Sequence, residues 1–213
     1  MSILERIICL IVGYIFGLFQ TGYLYGKCNG IDIRKSGSGN SGTTNALRVM
    51  GKKAGAIVFF GDVLKLCLAC YVTTHLLNGG SFYNELGQLI LLYTGFGVVL
   101  GHNYPFYLNF KGGKGIAATA GMLLVLDWRL AAIELVIFVV TVGVSHYVSL
   151  GSILISIGFV VCWTAMGCMG MLAIGSQYLT ESIILVVVWA ALAIWRHHTN
   201  IGRLMAGNEN KLF

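Results

Sequence analysis

Gly37-Ser38-Gly39-Asn40-Ser41-Gly42 spells GxGxxG, and the reading of that hexapeptide decides the fold. The dinucleotide fingerprint follows a strand and opens the helix of a βαβ unit. Here an apolar stretch and a charged loop come first, so a Rossmann domain is excluded. The physics of the segment survives. Glycines free successive backbone N–H groups to form an anion-binding nest, Ser38, Thr43 and Thr44 add hydroxyl donors, and a helix is expected near Asn45. Arg48 supplies a planar fork suited to phosphate.

On both sides of this segment the chain is apolar. Of 213 residues, 57% are hydrophobic and 10% charged, with mean hydropathy +0.81, far from the roughly 25% charged residues of soluble domains. An all-α integral membrane protein follows, as a single polytopic domain over 1–213. One proline and 29 glycines suit helices that pack closely, because lipid supplies no hydrophobic drive between spans. Gly13 and Gly17, Gly22 and Gly26, and Gly97 and Gly101 are spaced for such packing. The six cysteines fall mostly in apolar runs and read as reduced core or lipid-facing residues. Cys67 and Cys70 form CxxC inside a span with no second ligand pair, which disfavours a redox or metal role. The first apolar run lacks a small-residue cleavage site near 21–26 and is expected to be a retained span.

About 20 apolar residues cross a hydrocarbon core of about 30 Å. That ruler predicts seven transmembrane helices, at 5–25, 54–77, 86–101, 115–127, 130–147, 149–173 and 180–196. The fourth is short: tilted, partly re-entrant, or fused with the fifth across Asp127, Trp128 and Arg129. Loops after spans one, three, five and seven carry Lys27, Arg34, Lys35, Arg48, Lys52, Lys53, Lys111, Lys114, Arg196, Arg203 and Lys211, eleven of the 14 basic residues. The positive-inside rule then puts the N-terminus outside and the C-terminus in the cytoplasm, with polar loops forming a cytoplasmic-face site.

Two further polar stretches share that face. Lys111-Gly112-Gly113-Lys114-Gly115 lacks the GxxxxGK[ST] spacing of a Walker loop but holds two lysines beside permissive backbone at a helix start. In 196–211 (RHHTNIGRLMAGNENK), His197, Asn200 and Arg203 recur every three residues and share one face if the last span continues inward, with Glu209 following Gly207. His198 would point elsewhere. Asp62 and Lys65, three apart within the second span, read either as a structural pair or as a functional intramembrane charge. His102, Tyr147 and Ser149 fall near span ends on the same side and are expected to line the same cavity.

Taken in order, Ser38-Gly39-Asn40 through Thr44-Asn45 to Arg48, Gly101-His102 with Lys111-Gly112-Gly113-Lys114-Gly115, and Arg196-His197 with Asn200-Ile201 and Arg203-Leu204 resemble the bacterial acyl-phosphate:glycerol-3-phosphate acyltransferases, the PlsY family. The likeness covers essentially the whole chain. It implies a seven-helix enzyme of the bacterial inner membrane with its active site facing the cytoplasm. It further implies attack by the sn-1 hydroxyl of glycerol 3-phosphate on the carbonyl of a long-chain acyl phosphate, giving lysophosphatidic acid and phosphate.

By that resemblance Ser38, Arg48 and Lys114 are phosphate ligands and His197 and Asn200 are polar residues of the substrate site. Ser149 corresponds to another pocket residue. Gly39, Asn40, Thr44, Asn45, Lys111, Gly112, Gly113, Arg203 and Glu209 complete the expected substrate contacts, with Ser38, His197 and Asn200 nearest the chemistry. The chain departs from the family pattern at Thr43, commonly alanine, and at Ser145-His146, commonly Thr-Arg.

Both substrates carry phosphate, and a mixed anhydride has a good leaving group, so positioning and charge stabilisation suffice without a protein nucleophile. His197, with an unperturbed pKa near 6.5, is the candidate if a general base exists; direct transfer with a substrate phosphate oxygen taking the proton is preferred. The His-x4-Asp pair of other glycerolipid acyltransferases is absent, since Gly80, Tyr107, Gly151, Gly202 and Arg203 occupy the fifth position after the five histidines. Expected partners are acyl phosphate, glycerol 3-phosphate and membrane lipid, with no nucleic acid; the chain is expected to be a monomer, without cofactor or metal. A transporter for phosphate-bearing anions is the alternative; it requires polar residues on both faces, and the external loops are nearly bare. A purely structural subunit would leave the loop Ser, Asn, His and Gly content unexplained.

Overall fold

The structure, a computed structural model, describes residues 1–212, and its described residues form helices and loops without strands. Ser2 starts α1 (Ile3–Gly17) with a capping box, its hydroxyl taking the Glu5 N–H while the Glu5 carboxylate takes the Ser2 N–H. The first predicted span is broken: α1 stops at Gly17 and α2 (Thr21–Cys28) begins after a non-helical Gln20. The buried Gln20 amide donates to the Gly17 carbonyl at 3.2 Å and to the His102 carbonyl at 3.0 Å. α3 (Thr43–Met50) and α4 (Lys52–Asn78) follow, then α5 (Gly87–Asn103), α6 (Ile116–Leu126), α7 (Trp128–Ser145), α8 (Val148–Cys168), α9 (Ser176–Arg196) and α10 (His198–Met205).

Each of the seven predicted spans falls on helix, but among the described residues only five stretches are long and apolar enough to cross a membrane: Ile3–Cys28 taken across its break, Lys52–Asn78, Trp128–Ser145, Val148–Cys168 and Ser176–Arg196. α5 has 17 residues and α6 only 11, about 16 Å at 1.5 Å per residue. α6 and α7 are not fused. Asp127 is extended between them (φ −163°, ψ 126°), and its carboxylate caps α7 through the Arg129 N–H. The last span also does not continue inward; His197 interrupts it with φ −100° and ψ 7°, and α10 is a separate helix.

The most extensive helix pairing is α1 against α5, and glycine makes it possible. A Cβ on Gly13 would lie 2.1 Å from the Thr94 carbonyl oxygen, and one on Gly17 2.2 Å from that of Val98. From the other side, a Cβ on Gly97 or Gly101 would lie 2.5 or 2.2 Å from the carbonyl oxygen of Leu10 or Tyr14. Gly22 and Gly26 pack differently from the helix-pairing expectation: they lie against loop backbone, at Ser41 O and Ile31 O. The core between α5, α6, α8 and α9 is built on Phe159, Trp163 and Trp189, with Phe159 edge-on to both tryptophans. Their indoles are satisfied, Trp163 by Ser182 at 2.9 Å and Trp189 by Thr119 at 3.0 Å.

The end away from the polar loops is tied by Arg6, whose guanidinium meets Glu181 at 2.5 and 2.6 Å. At the other end, Gly207 (φ +69°) reverses the chain after α10, and Leu212 N–H bonds the His146 carbonyl at 2.8 Å. That return carries Glu209 back over the bundle. Gly17→Leu should separate α1 from α5 and cost at least about 2 kcal/mol, since overpacking a close contact typically costs 1–3 kcal/mol. Gly143→Ala, where a Cβ meets nothing within 4 Å, should leave the thermal midpoint in detergent unchanged or slightly raised; equal midpoints for the two variants would contradict the packing argument.

Candidate active site

One cavity of about 550 Å³ gathers the polar stretches. Its polar end is lined by Ser38, Asn40, Thr43, Thr44, Asn45 and Arg48 from the first stretch, Lys114 from the second, and His197, Asn200 and Glu209 from the third, with Ser149 and His102. Its other end is apolar, formed by α4, α6, α7 and α8 through side chains such as Phe59, Phe60, Leu123, Leu135, Phe138 and Ile155. Glu134 on α7 lies buried within this apolar wall, so close to Gly158 that a Cβ there would fall 2.5 Å from its carboxylate. Phe60, Leu124 and Leu135 line the cavity while 67%, 58% and 61% exposed, so the slot opens sideways between α4 and α7.

The GSGNSG segment is not an open nest. The buried Asn45 side chain staples it: Oδ1 accepts from Ser38 N–H at 2.9 Å, and Nδ2 donates to the carbonyls of Ile33, Ser36 and Asn40 at 3.3, 3.0 and 2.8 Å. Gly39 N–H goes to Ser36 O and Gly42 N–H to Asn40 Oδ1. Three of the six N–H groups of this segment, those of Ser38, Gly39 and Gly42, are therefore used to shape the loop. Gly39 (φ +72°) turns the chain and does not line the cavity. What faces the cavity is the start of α3, whose N-cap is Gly42 and whose Thr43 hydroxyl has no protein partner. Arg48 is largely exposed, and its Nη2 donates to the Asn210 carbonyl at 3.0 Å.

The 111–115 loop divides in the same way. Gly112 and Gly113 donate their N–H groups to the Asn103 and His102 carbonyls, and their own carbonyls accept from Arg196 Nη2 at 3.3 and 2.8 Å. Neither glycine lines the cavity, and Lys111 is exposed away from it. Lys114 and Gly115 line it, and the Lys114 side chain donates to Asn200 Oδ1. Burial, reinforced by Arg203, Arg196 and Arg48, pushes its pKa down to about 8 against the opposing pull of Glu209.

Glu209 is the hub of the third stretch. Its Oε1 accepts from Asn200 Nδ2 at 2.6 Å and Ser149 Oγ at 3.0 Å, and its Oε2 from Arg203 Nε at 2.6 Å. Burial opposes its charge, but the bonds from Arg203, Asn200 and Ser149 outweigh that and hold the carboxyl below the usual range. Arg203 reaches Glu209 without lining the cavity. His197 is buried, and its Nδ1 sits 2.7 Å from the Ala193 carbonyl; a carbonyl only accepts, so the proton is on Nδ1 and Nε2 is the free acceptor. Burial first, then the charge of Lys114, pushes its pKa down to about 4, well away from the near-neutral value expected of a base. His198 stacks on Trp195 at the surface, and Tyr147 precedes α8 without lining the cavity.

Gln20 and Arg196, neither among the expected site residues, do much of the support. Gln20 bridges the α1–α2 break, the Ser41 hydroxyl at 3.1 Å and the His102 carbonyl. Arg196 clamps the glycines and stacks over Tyr104 at 5.1 Å. The only sequence signal for Gln20 was a lone amide in an apolar run.

The glycerol-3-phosphate acyltransferase family model matches residues 7–207. A glycerol-3-phosphate acyltransferase of Thermoanaerobacter sp. (strain X514) is 38% identical over 211 residues, covering 97% of this chain and 95% of the relative. One of Clostridioides difficile (strain 630) is 36% identical, covering 100% and 98%. Among solved structures, the glycerol 3-phosphate form of PlsY (YgiH), an integral membrane glycerol 3-phosphate acyltransferase, superposes with TM-score 0.79 at 32% identity, covering 97% of this chain and 94% of that one. Its lysophosphatidic acid form gives 0.75 at 31% identity over the same shares. With apolar helices around a polar cavity and relatives aligned from end to end, this chain belongs to the glycerol-3-phosphate acyltransferase (PlsY) family and is a multi-pass membrane acyltransferase.

Proposed function

We propose that the chain transfers a long-chain acyl group from acyl phosphate to the sn-1 hydroxyl of glycerol 3-phosphate, giving lysophosphatidic acid and inorganic phosphate, the first step of phospholipid synthesis. The observation that carries this reading is the division of one cavity into a basic, hydrogen-bonding end and an apolar slot open sideways to the bilayer. An acyl phosphate has that same division. The solved relative's glycerol 3-phosphate and lysophosphatidic acid forms are an acceptor and a product of this reaction. A transporter would need a polar path through the membrane depth, whereas this cavity turns apolar.

In this reading Lys114, Arg48, Ser38 and the start of α3 hold phosphate oxygens, and Phe59, Phe138 and their neighbours take the acyl chain. Neutral His197 accepts a hydrogen bond from the glycerol through Nε2 and orients it, while Asn200, fixed by Glu209, holds Lys114. The acceptor hydroxyl oxygen bonds to the acyl carbonyl carbon, the carbon–oxygen bond to phosphate breaks, and the hydroxyl proton passes to a phosphate oxygen. The cations stabilise the charge that leaves with the phosphate. Glycerol 3-phosphate and acyl phosphate are the partners, and the chain acts as a monomer.

The orientation supported by the eleven basic residues has seven crossings, with α5 and α6 as short crossings inside the bundle, the N-terminus outside and this site facing the cytoplasm of a bacterial plasma membrane. In a background with the exposed Cys28 and Cys168 changed to serine, an Asn84→Cys variant should react with an impermeant thiol reagent from outside intact cells and a Lys211→Cys variant only after lysis; the reverse pattern would refute the orientation. Purified protein in detergent should release inorganic phosphate from acyl phosphate only when glycerol 3-phosphate is present. Release without acceptor would indicate a hydrolase, and no release would end the acyl-phosphate reading.

The pH dependence follows from Lys114. It is cationic below its pKa of about 8 and loses its charge above it, so kcat/KM should fall as pH rises through about 8. Lys114→Arg, whose guanidinium stays charged to beyond about pH 12, should remove that limb at lower overall activity. His197 is neutral throughout this range, so His197→Gln should reduce turnover without moving the limb. A limb that moved with His197 and not with Lys114 would reverse the two roles.

A further inference from the structure

Asp62 and Lys65 on α4 and His102 on α5 form a buried cluster to which the proposed reaction assigns no role. Lys65 Nζ lies 2.7 Å from Asp62 Oδ1, 2.8 Å from the Phe19 carbonyl and 2.8 Å from His102 Nδ1. Thr21 Oγ1 donates to the same Asp62 oxygen at 3.1 Å. An ammonium has three donors and no acceptor, so these three partners use it fully and His102 Nδ1 must be accepting. The His102 proton therefore sits on Nε2.

That nitrogen backs the glycine loop. A Cβ on Gly113 would fall 1.9 Å from His102 Nε2, and the Gly113 N–H donates to the His102 carbonyl at 3.0 Å. Gly113 is thus held through its N–H by the His102 backbone, across its Cα by the imidazole, and through its carbonyl by Arg196. The next residue is Lys114. Neutral side chains of similar volume could fill the space of the Asp62–Lys65 pair at no greater cost, since buried ion pairs seldom add net stability. What they would not supply is a fixed donor at Nδ1.

We infer that Asp62, Lys65 and His102 are positioning residues for Lys114: the ion pair locks the imidazole in its Nε2–H tautomer, the imidazole sets Gly113, and Gly113 sets the lysine in the cavity. The inference rests on Lys114 as a phosphate ligand. It extends the site one layer into the bundle, to Lys65, which does not line the cavity, and gives Asp62 and His102 at the cavity wall a positioning role.

The test uses full-length protein in detergent carrying Asp62→Asn with Lys65→Met, which removes both charges and keeps their volume. The thermal midpoint should stay within a few degrees of the parent, while kcat/KM should fall by about ten- to a hundredfold, the scale of a catalytic group displaced by about 1 Å. In a Lys114→Ala background the same double change should lower the residual turnover no further, because both act through one group. Nitrogen-15 spectra, with the His102 signal identified by its loss in His102→Asn, should give the Nε2–H form in the parent and a tautomer mixture in the double variant. Normal kcat/KM in a folded double variant, or an Nδ1–H His102 in the parent, would overturn the inference, and the parent spectrum decides even if the variant fails to fold. Full activity of Lys114→Ala alone would instead refute Lys114 as a ligand while leaving the tautomer assignment standing.

Discussion

The backbones of α1 and α5 meet because Gly13, Gly17, Gly97 and Gly101 place no side chain between them, and the polar end of the molecule is suspended from that contact. Where α1 breaks after Gly17, Gln20 is close enough to the end of α5 to bond the His102 carbonyl, and through Ser41 it reaches the first polar loop. His102 and Asn103 carry the second loop on their carbonyls. In a medium that offers no water to unsatisfied backbone, a helix can be broken at that depth only where such partners are within reach. Helix proximity, set by glycine, is thus the condition for the loops to have a defined shape.

The charges at the site need balancing as well as placing. Lys114, Arg48, Arg196 and Arg203 converge on a partly buried volume, and Glu209, returned by the turn at Gly207, is the acid that offsets them. By accepting from Asn200, Ser149 and Arg203 together it joins α8, α10 and the C-terminal tail. Burial first, and then the neighbouring guanidiniums, lower the Lys114 pKa; one carboxylate offsets them only in part and leaves the lysine charged near neutrality, with little to spare.

The helical class, the apolar stretches and the clustering of basic loops were legible because hydropathy and charge are local properties of the chain. That Gly13, Gly17, Gly97 and Gly101 pack helix on helix was legible for a similar reason, but which helices they join was not, and the same spacing at Gly22 and Gly26 serves contacts with loop backbone instead. The choice between ligand and scaffold was not legible. Asn45 and Gly113 sit in glycine-rich segments that suggest anion binding, yet their hydrogen bonds go to the protein, and only spatial neighbours such as Ile33 and Arg196 decide that. His197 reads as a near-neutral imidazole until its burial and the nearby Lys114 charge are known. The breaks at Gln20 and His197 were hidden because apolar sequence runs through both.

α6 stops after 11 residues, and the wall it leaves unfinished is where Phe60, Leu124 and Leu135 face outward and inward at once. In the proposed reading, surrounding lipid completes that wall. An amphiphile using this slot exchanges with the two-dimensional solution of the membrane, so its effective concentration is a mole fraction in the bilayer and not a molarity in water. Diluting the membrane with inert lipid or detergent at constant total substrate would then act on the rate as a change of concentration, while the water-soluble acceptor would remain indifferent to it.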